Sequence, residues 1–141
     1  MRILYVTPLW SGLRDILLEG SETAKGMPAF INPLKRLVEL GNEVEIIVVD
    51  PGISKKSLNI RAEWLKQIRI RVFDWEIKGY KKAVSLVKLC LVVYKTMKSK
   101  QYDFIYGHGS IGSVANMIAN LNGVPCGIRL YGTFLASEIN R

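Results

Sequence analysis

Residues 107 to 112 read Gly-His-Gly-Ser-Ile-Gly, a G-x-G-x-x-G pattern that contains the chain's only histidine. Glycines at this spacing let backbone N–H groups at the start of a helix face a phosphate, and His108 adds an imidazole for hydrogen bonding or proton transfer. The alternative reading is structural: the same glycines let a helix pack closely on a sheet, with His108 as a satisfied core residue. Tyr131, Gly132 and Thr133 follow another short apolar run, Gly127-Ile128-Arg129-Leu130, in which Arg129 is the odd residue. A buried arginine must be ion-paired or hold an anion, and the internal ion pair is the simpler of the two. A third group, Trp10, Gly12, Arg14, Gly20 and Gly26, falls between residues 8 and 26. From these groups His108 is the candidate catalytic residue. Gly12, Arg14, Gly26, Gly107, Gly109, Ser110, Arg129, Gly132 and Thr133 are the candidate substrate- or phosphate-binding residues.

Several chemistries lack their signatures. A dinucleotide fingerprint belongs after the first strand and needs an acid about 20 positions on. The first turn, Thr7 to Gly12, lacks the glycines, and residues 126 to 133 hold no acid. Asp50 stands where a ribose-binding acid could lie, but without those glycines. No carboxylate pair, nucleophile elbow or Walker A sequence is present. One histidine and two distant cysteines, Cys90 and Cys126, give no metal spacing. No metal or cofactor is expected, and both cysteines read as small core hydrophobes.

These residues sit at the ends of elements that alternate in type. Residues 3–6, 44–49, 68–72, 104–106 and 126–131 read as strands, the third half-exposed as an outer strand. Residues 28–40, 79–100 and 110–121 read as helices, ended by Gly41 in the first case and Asn122-Gly123 in the last. Ser137-Glu138 reads as the start of another. Pro33 predicts a kink, or a late start with Asn32 as cap. Alternation of this kind implies an α/β, Rossmann-like parallel sheet of about five strands with helices on both faces and right-handed crossovers. In the order 3-2-1-4-5, ligands bind beyond the C-terminal ends of strands 1 and 4. The long loop over residues 8–26 and the glycine loop at 107–112 are then expected to border one pocket, the former poorly ordered without its ligand.

The chain of 141 residues is 49% hydrophobic and carries a net charge of +8. That composition suits one globular domain and favours anionic partners. The N-terminus lacks a signal-peptide apolar region, and no run approaches a membrane span, so a cytoplasmic location is expected. On the helix of residues 79–100, Lys81, Lys88 and Lys95 recur every seven positions as a basic stripe. Beside it Tyr80, Val84, Val87, Leu91 and Tyr94 form an apolar seam, widened by Leu86, Leu89, Cys90, Val93 and Met97. One reading wedges this helix between the sheet and a neighbour; the other rests part of the arc and its lysines on an anionic membrane leaflet.

The order of these pieces resembles the opening of the family 4 retaining glycosyltransferases of the GT-B fold. Ile3-Leu4-Tyr5-Val6-Thr7-Pro8, then Gly26, then Leu37-Val38-Glu39-Leu40-Gly41-Asn42-Glu43-Val44 follow that family's first strand, glycine-closed loop, helix and second strand. Tyr102-Asp103-Phe104-Ile105-Tyr106-Gly107-His108-Gly109 resembles its Asp-(Val/Ile)-(Val/Ile)-His-x-His segment. Asn122-Gly123-Val124-Pro125 and Ile128-Arg129-Leu130-Tyr131-Gly132-Thr133 resemble its Gly-x-Pro strand and following His-Gly. Tyr106 and Tyr131 stand where that family often has histidines. The resemblance implies hexose transfer from a nucleoside-diphosphate sugar to a glycan or lipid-linked acceptor, without nucleic acid as a partner. Gly26, His108, Tyr131 and Gly132 would then lie at the acceptor-side wall, with Tyr131 as a second candidate catalytic residue. It also implies that residues 1–141 are a truncated N-terminal domain, without the donor half and its Glu-x7-Glu segment. An uncovered edge at Phe134, Leu135 and Ile139 would then favour self-association. The alternative class is a non-catalytic α/β module that completes or docks a partner chain.

Overall fold

The computed structural model describes residues 1–24, 28–76 and 78–129. Five strands form one sheet: β1 Arg2–Pro8, β2 Glu43–Asp50, β3 Arg69–Asp74, β4 Phe104–His108 and β5 Cys126–Arg129. All pairings are parallel and the order is β3-β2-β1-β4-β5. The α/β, Rossmann-like reading therefore holds, including the switch point between β1 and β4 where the strand order reverses. The helices are α1 Ser11–Leu17, α2 Pro28–Glu39, α3 Glu63–Lys66, α4 Tyr80–Ser99 and α5 Gly109–Leu121.

Two cores explain the layers. Successive side chains of a strand point to opposite faces. Ile3 and Tyr5 of β1, with Val44, Ile46 and Val48 of β2, bury against Leu13, Ile16 and Leu17 of α1, Leu34 of α2 and Leu65 of α3. Leu4, Val6, Ile47 and Val49 bury on the other face against Leu89 and Val93 of α4 and Ala115 and Ile118 of α5. At the N-terminal end of the strands, the nearly buried Glu45 accepts a hydrogen bond from the Tyr102 hydroxyl at 2.9 Å and pairs with Arg71, with Lys100 at 3.6 Å. Burial and this bond raise the Tyr102 pKa above the usual phenol value.

The structure corrects several expectations. Residues 8–26 are not one long loop, because α1 forms within them. Leu13, Ile16 and Leu17 are all 0% exposed, so packing against the sheet orders a segment that short-range signals left open. Helix α2 begins at Pro28 and runs through Pro33, so Asn32 lies inside it and is no cap. Pro28 at the first helical position needs no N–H there. Gly41, at φ +76°, ends α2 as expected; its N–H and that of Asn42 bond back to Val38 and Leu37. Cys90 and Cys126 are free and half-buried, packed at the margin of the second core rather than within it.

Gly107 and His108 are strand, not loop: Gly107 pairs with Val6 of β1 and Ile128 of β5, and the helix starts at the very next turn. That abrupt passage requires glycine. A Cβ on Gly112 would lie 2.3 Å from the Gly107 carbonyl carbon, and one on Gly107 would lie 2.5 Å from the Gly112 oxygen. Gly109 takes φ +58°. Gly112→Ala is therefore expected to lower stability by about 1–3 kcal/mol, as overpacked sites do. Gly41→Asn, at an open left-handed position, should cost far less. Urea midpoints of both variants provide the check, and equal losses would show that backbone conformation rather than the close contact sets the cost.

Candidate functional site

The site forms where β1 and β4 separate. Tyr5 and Tyr106 are register partners on these strands, and their rings stack with centroids 5.1 Å apart. His108 is two residues beyond Tyr106 and so shares its face. Its ring lies 5.0 Å from Tyr5 and 5.2 Å from Tyr106, and its Nε2 is hydrogen-bonded to the Tyr5 hydroxyl. Trp10, just past β1, stacks over the imidazole at 6.2 Å. Its indole N–H donates to Thr7 Oγ1 at 2.8 Å, which holds the ring in place. The segment after β1 and the segment after β4 therefore border one place, as the switch-point argument expects.

That place is filled rather than open. His108 is 1% exposed, beneath Trp10. Burial, with the Arg129 charge as a smaller contribution, pushes the imidazole down to about 4. At neutral pH it is an uncharged hydrogen-bonding group. Arg129 is half-buried rather than buried and sits on β5 in register with His108. Arg14, on α1, lies 3.8 Å from Asp50 at the end of β2, and Lys56 lies 3.2 Å from the same carboxylate. Arg14 thus reaches the C-terminal edge of the sheet as one member of an ion-pair group. Gly12 packs against Trp10 and Ala24 and supports the indole: an added Cβ would lie 3.1 Å from each.

Gly107 and Gly112 serve helix packing, so for these two the structural reading explains the glycines. Gly109 and the exposed Ser110 open α5, whose first turn contains no acidic residue and whose N-terminus has no side-chain cap. Gly26, Tyr131, Gly132, Thr133, Phe134, Leu135, Ser137, Glu138 and Ile139 lie outside the described residues. Among the described residues no His, Cys, Asp and Glu group could hold a metal ion. A cleft of about 510 Å³ lined by Met97, Tyr102, Asp103 and Asn122 lies at the opposite end of the sheet, where the chain leads into β4.

Tyr5 and Trp10, the partners of His108 in space, belong to no sequence motif that marks them as such. The signal for Tyr5 lay in the alternation of β1 and β4 once these strands are taken as neighbours. No short-range signal points to Trp10, because its contact depends on how α1 turns back.

The single histidine makes the site testable. Its pKa in the fold lies below the ordinary 6.5, so the unfolded chain takes up a proton that the folded chain rejects. Stability from the neutral imidazole is complete above about pH 6.5 and is lost as pH falls toward 4, by on the order of 3 kcal/mol. His108→Gln should flatten the fall in urea midpoint between pH 7 and 5. An equal fall in the variant would place its origin elsewhere. In Trp10→Ala the imidazole should regain water, and its NMR titration midpoint should rise toward 6.5; a midpoint still near 4 would show that Trp10 is not its cover.

No protein-family model and no curated protein matches the chain. Solved structures do. The C-terminal domain of PF1911 hydrogenase from Pyrococcus furiosus matches with TM-score 0.60 at 16% identity, covering 91% of this chain and 90% of that one. A second structure of that domain gives the same score, with 92% and 91% covered. MurG from Acinetobacter baumannii matches with TM-score 0.53 at 16% identity, over 90% of this chain and 34% of the MurG chain. At such identity these likenesses show the fold: α/β, Rossmann-like and similar to part of a GT-B glycosyltransferase.

Proposed function

We propose that this chain is the acceptor-side half of a glycosyltransferase moving a hexose from a nucleoside-diphosphate sugar to an acceptor hydroxyl, with retention at the anomeric carbon. One observation carries the reading: the uncapped N-terminus of α5 emerges at the switch point, one residue past His108. Backbone N–H groups there can face phosphate oxygens, and the half-buried Arg129 adds positive charge from the neighbouring strand. The likeness to part of MurG, a GT-B glycosyltransferase, agrees with it. His108, neutral, acts as a hydrogen-bond partner for a sugar or acceptor hydroxyl once Trp10 moves aside; it supplies no charge. Tyr131, Gly132, Thr133 and Gly26 complete the wall by resemblance, and a donor-binding half closes the cleft and excludes water. With that half present, His108→Gln should lower kcat by about 100-fold or more. The chain alone should turn over no nucleotide sugar. An unaffected variant, or turnover by the isolated chain, would refute the assignment.

A second reading, the non-catalytic module that docks a partner chain, is favoured by the closure of His108 beneath Trp10. It would be supported if the assembled protein bound no nucleotide sugar.

The membrane contact is also a proposal. Ser85, Leu89, Val93, Thr96 and Met97 are the buried residues of α4. The seam of Tyr80, Val84, Val87, Leu91 and Tyr94 faces outward, with Tyr80 78% and Val87 59% exposed. Lys81, Lys88 and Lys95 run beside it, and Lys98 stands 5.7 Å above the Tyr94 ring. No described helix is long and apolar enough to cross a membrane, so the contact would be peripheral, at an anionic inner leaflet of the cytoplasmic side. Each lysine contributes on the order of 1 kcal/mol near such a surface. The chain should co-sediment with anionic vesicles at low salt and with neutral ones weakly. Changing Lys81, Lys88 and Lys95 to Glu should abolish the difference; equal binding to both vesicle types would show that the lysines are only a solvated face.

A further inference from the structure

Between α4 and α5 lies a cleft of about 450 Å³ that shares only Ser110, at the start of α5, with the transfer reading. Trp75, Ala83, Leu86, Ile111 and Val114 form its walls. Lys82 and Ser110 are its polar lining residues. The volume is that of a ligand site. Its place is set by topology: Trp75 follows β3, and Ser110 opens α5, so the cleft stands at the C-terminal end of the sheet, on the face opposite His108.

We propose that this cleft takes the hydrocarbon chain of a phosphate-bearing amphiphile, with the phosphate held by Lys82 and the Ser110 hydroxyl. Apolar walls select the chain through buried area. Charge selects the headgroup. α4 carries Lys81, Lys82, Lys88, Lys95 and Lys98 and no acidic residue, and α5 has no acid in its first turn. Lys82 makes no ion pair among the described residues. The same charges oppose a second copy of the chain as occupant, since two α4 helices would bring lysine against lysine. The outward seam of α4 and this cleft flank the same helix, so an amphiphile leaving a membrane surface would meet Leu86 and Ala83 on its way in. The inference deepens the acceptor reading and rests on it only for calling the amphiphile an acceptor; binding is measured apart from transfer.

The test is NMR titration of the chain with dodecyl phosphate below its micelle concentration, with dodecanol and inorganic phosphate as separate arms. Dodecyl phosphate should saturate one site, shifting the Trp75 indole and the Ile111 and Val114 methyls. Dodecanol should shift the same groups more weakly, and inorganic phosphate should bind far less tightly than either. Ala83→Phe, which fills the cleft from an exposed position, should weaken dodecyl phosphate about tenfold or more. Lys82→Glu should weaken it similarly while leaving dodecanol unchanged. Spectral dispersion of each variant reports its folding, and Lys82→Glu, at an exposed position, keeps the test decisive if Ala83→Phe does not fold. Shifts confined to Tyr80, Val87 and Leu91 would overturn the proposal in favour of non-specific adsorption on the seam. So would equal affinity for phosphate and dodecyl phosphate, or no effect of Lys82→Glu. None of these results touches the transfer assay, so the two readings fail separately.

Discussion

The contact between the backbones of Gly107 and Gly112 sets the geometry on which the candidate site depends. A strand that runs into a helix without a loop must bring the helix's first turn against its own last residues, and only hydrogen at both α-carbons permits that approach. From it follow the position of the α5 N-terminus at the switch point, the direction in which His108 points, and the placement of Ser110 and Ile111 along the cleft with α4. The glycine pattern thus acts first on packing. Any phosphate chemistry is a consequence of where that packing leaves the N–H groups.

The sheet's two ends hold their polar groups by different means. At the N-terminal end, Arg71, Lys100 and Tyr102 surround the buried carboxylate of Glu45, a group that ties α4 and the approach to β4 onto β2 and β3. At the C-terminal end, His108 has aromatic neighbours and an adjacent arginine, so the fold keeps it neutral. Buried charge needs partners, and burial itself favours the uncharged form of a base. The first arrangement is a cluster of charges. The second is a hydrogen-bonding group beneath an indole.

α4 divides its surface between two demands. Its sheet-facing side uses Leu89, Val93 and Met97, with Ser85 and Thr96 among them, while larger apolar side chains, Tyr80, Leu91 and Tyr94, face outward. A helix of this length needs only one apolar face to pack. The outward seam is thus surplus to the fold, and the lysines beside it make its margin basic.

Much of the architecture was legible because it rests on short-range signals. Continuous apolar runs marked buried strands, Gly41 and Gly123 marked helix ends by their left-handed backbone, and alternation of elements implied the parallel order. Composition set the basic charge. The tertiary structure alone decided the rest. Residues 8–26 looked like a loop, and α1 exists there because Leu13, Ile16 and Leu17 find the sheet; seven residues make no stable helix by themselves. Which face of α4 turns inward was not in its periodicity, since both faces are apolar. The state of His108 was not in its motif either: Tyr5 is 103 positions away, and Trp10 nearly as far. A histidine's chemistry is set by what surrounds it in space, and those neighbours come from strands made adjacent only by the fold.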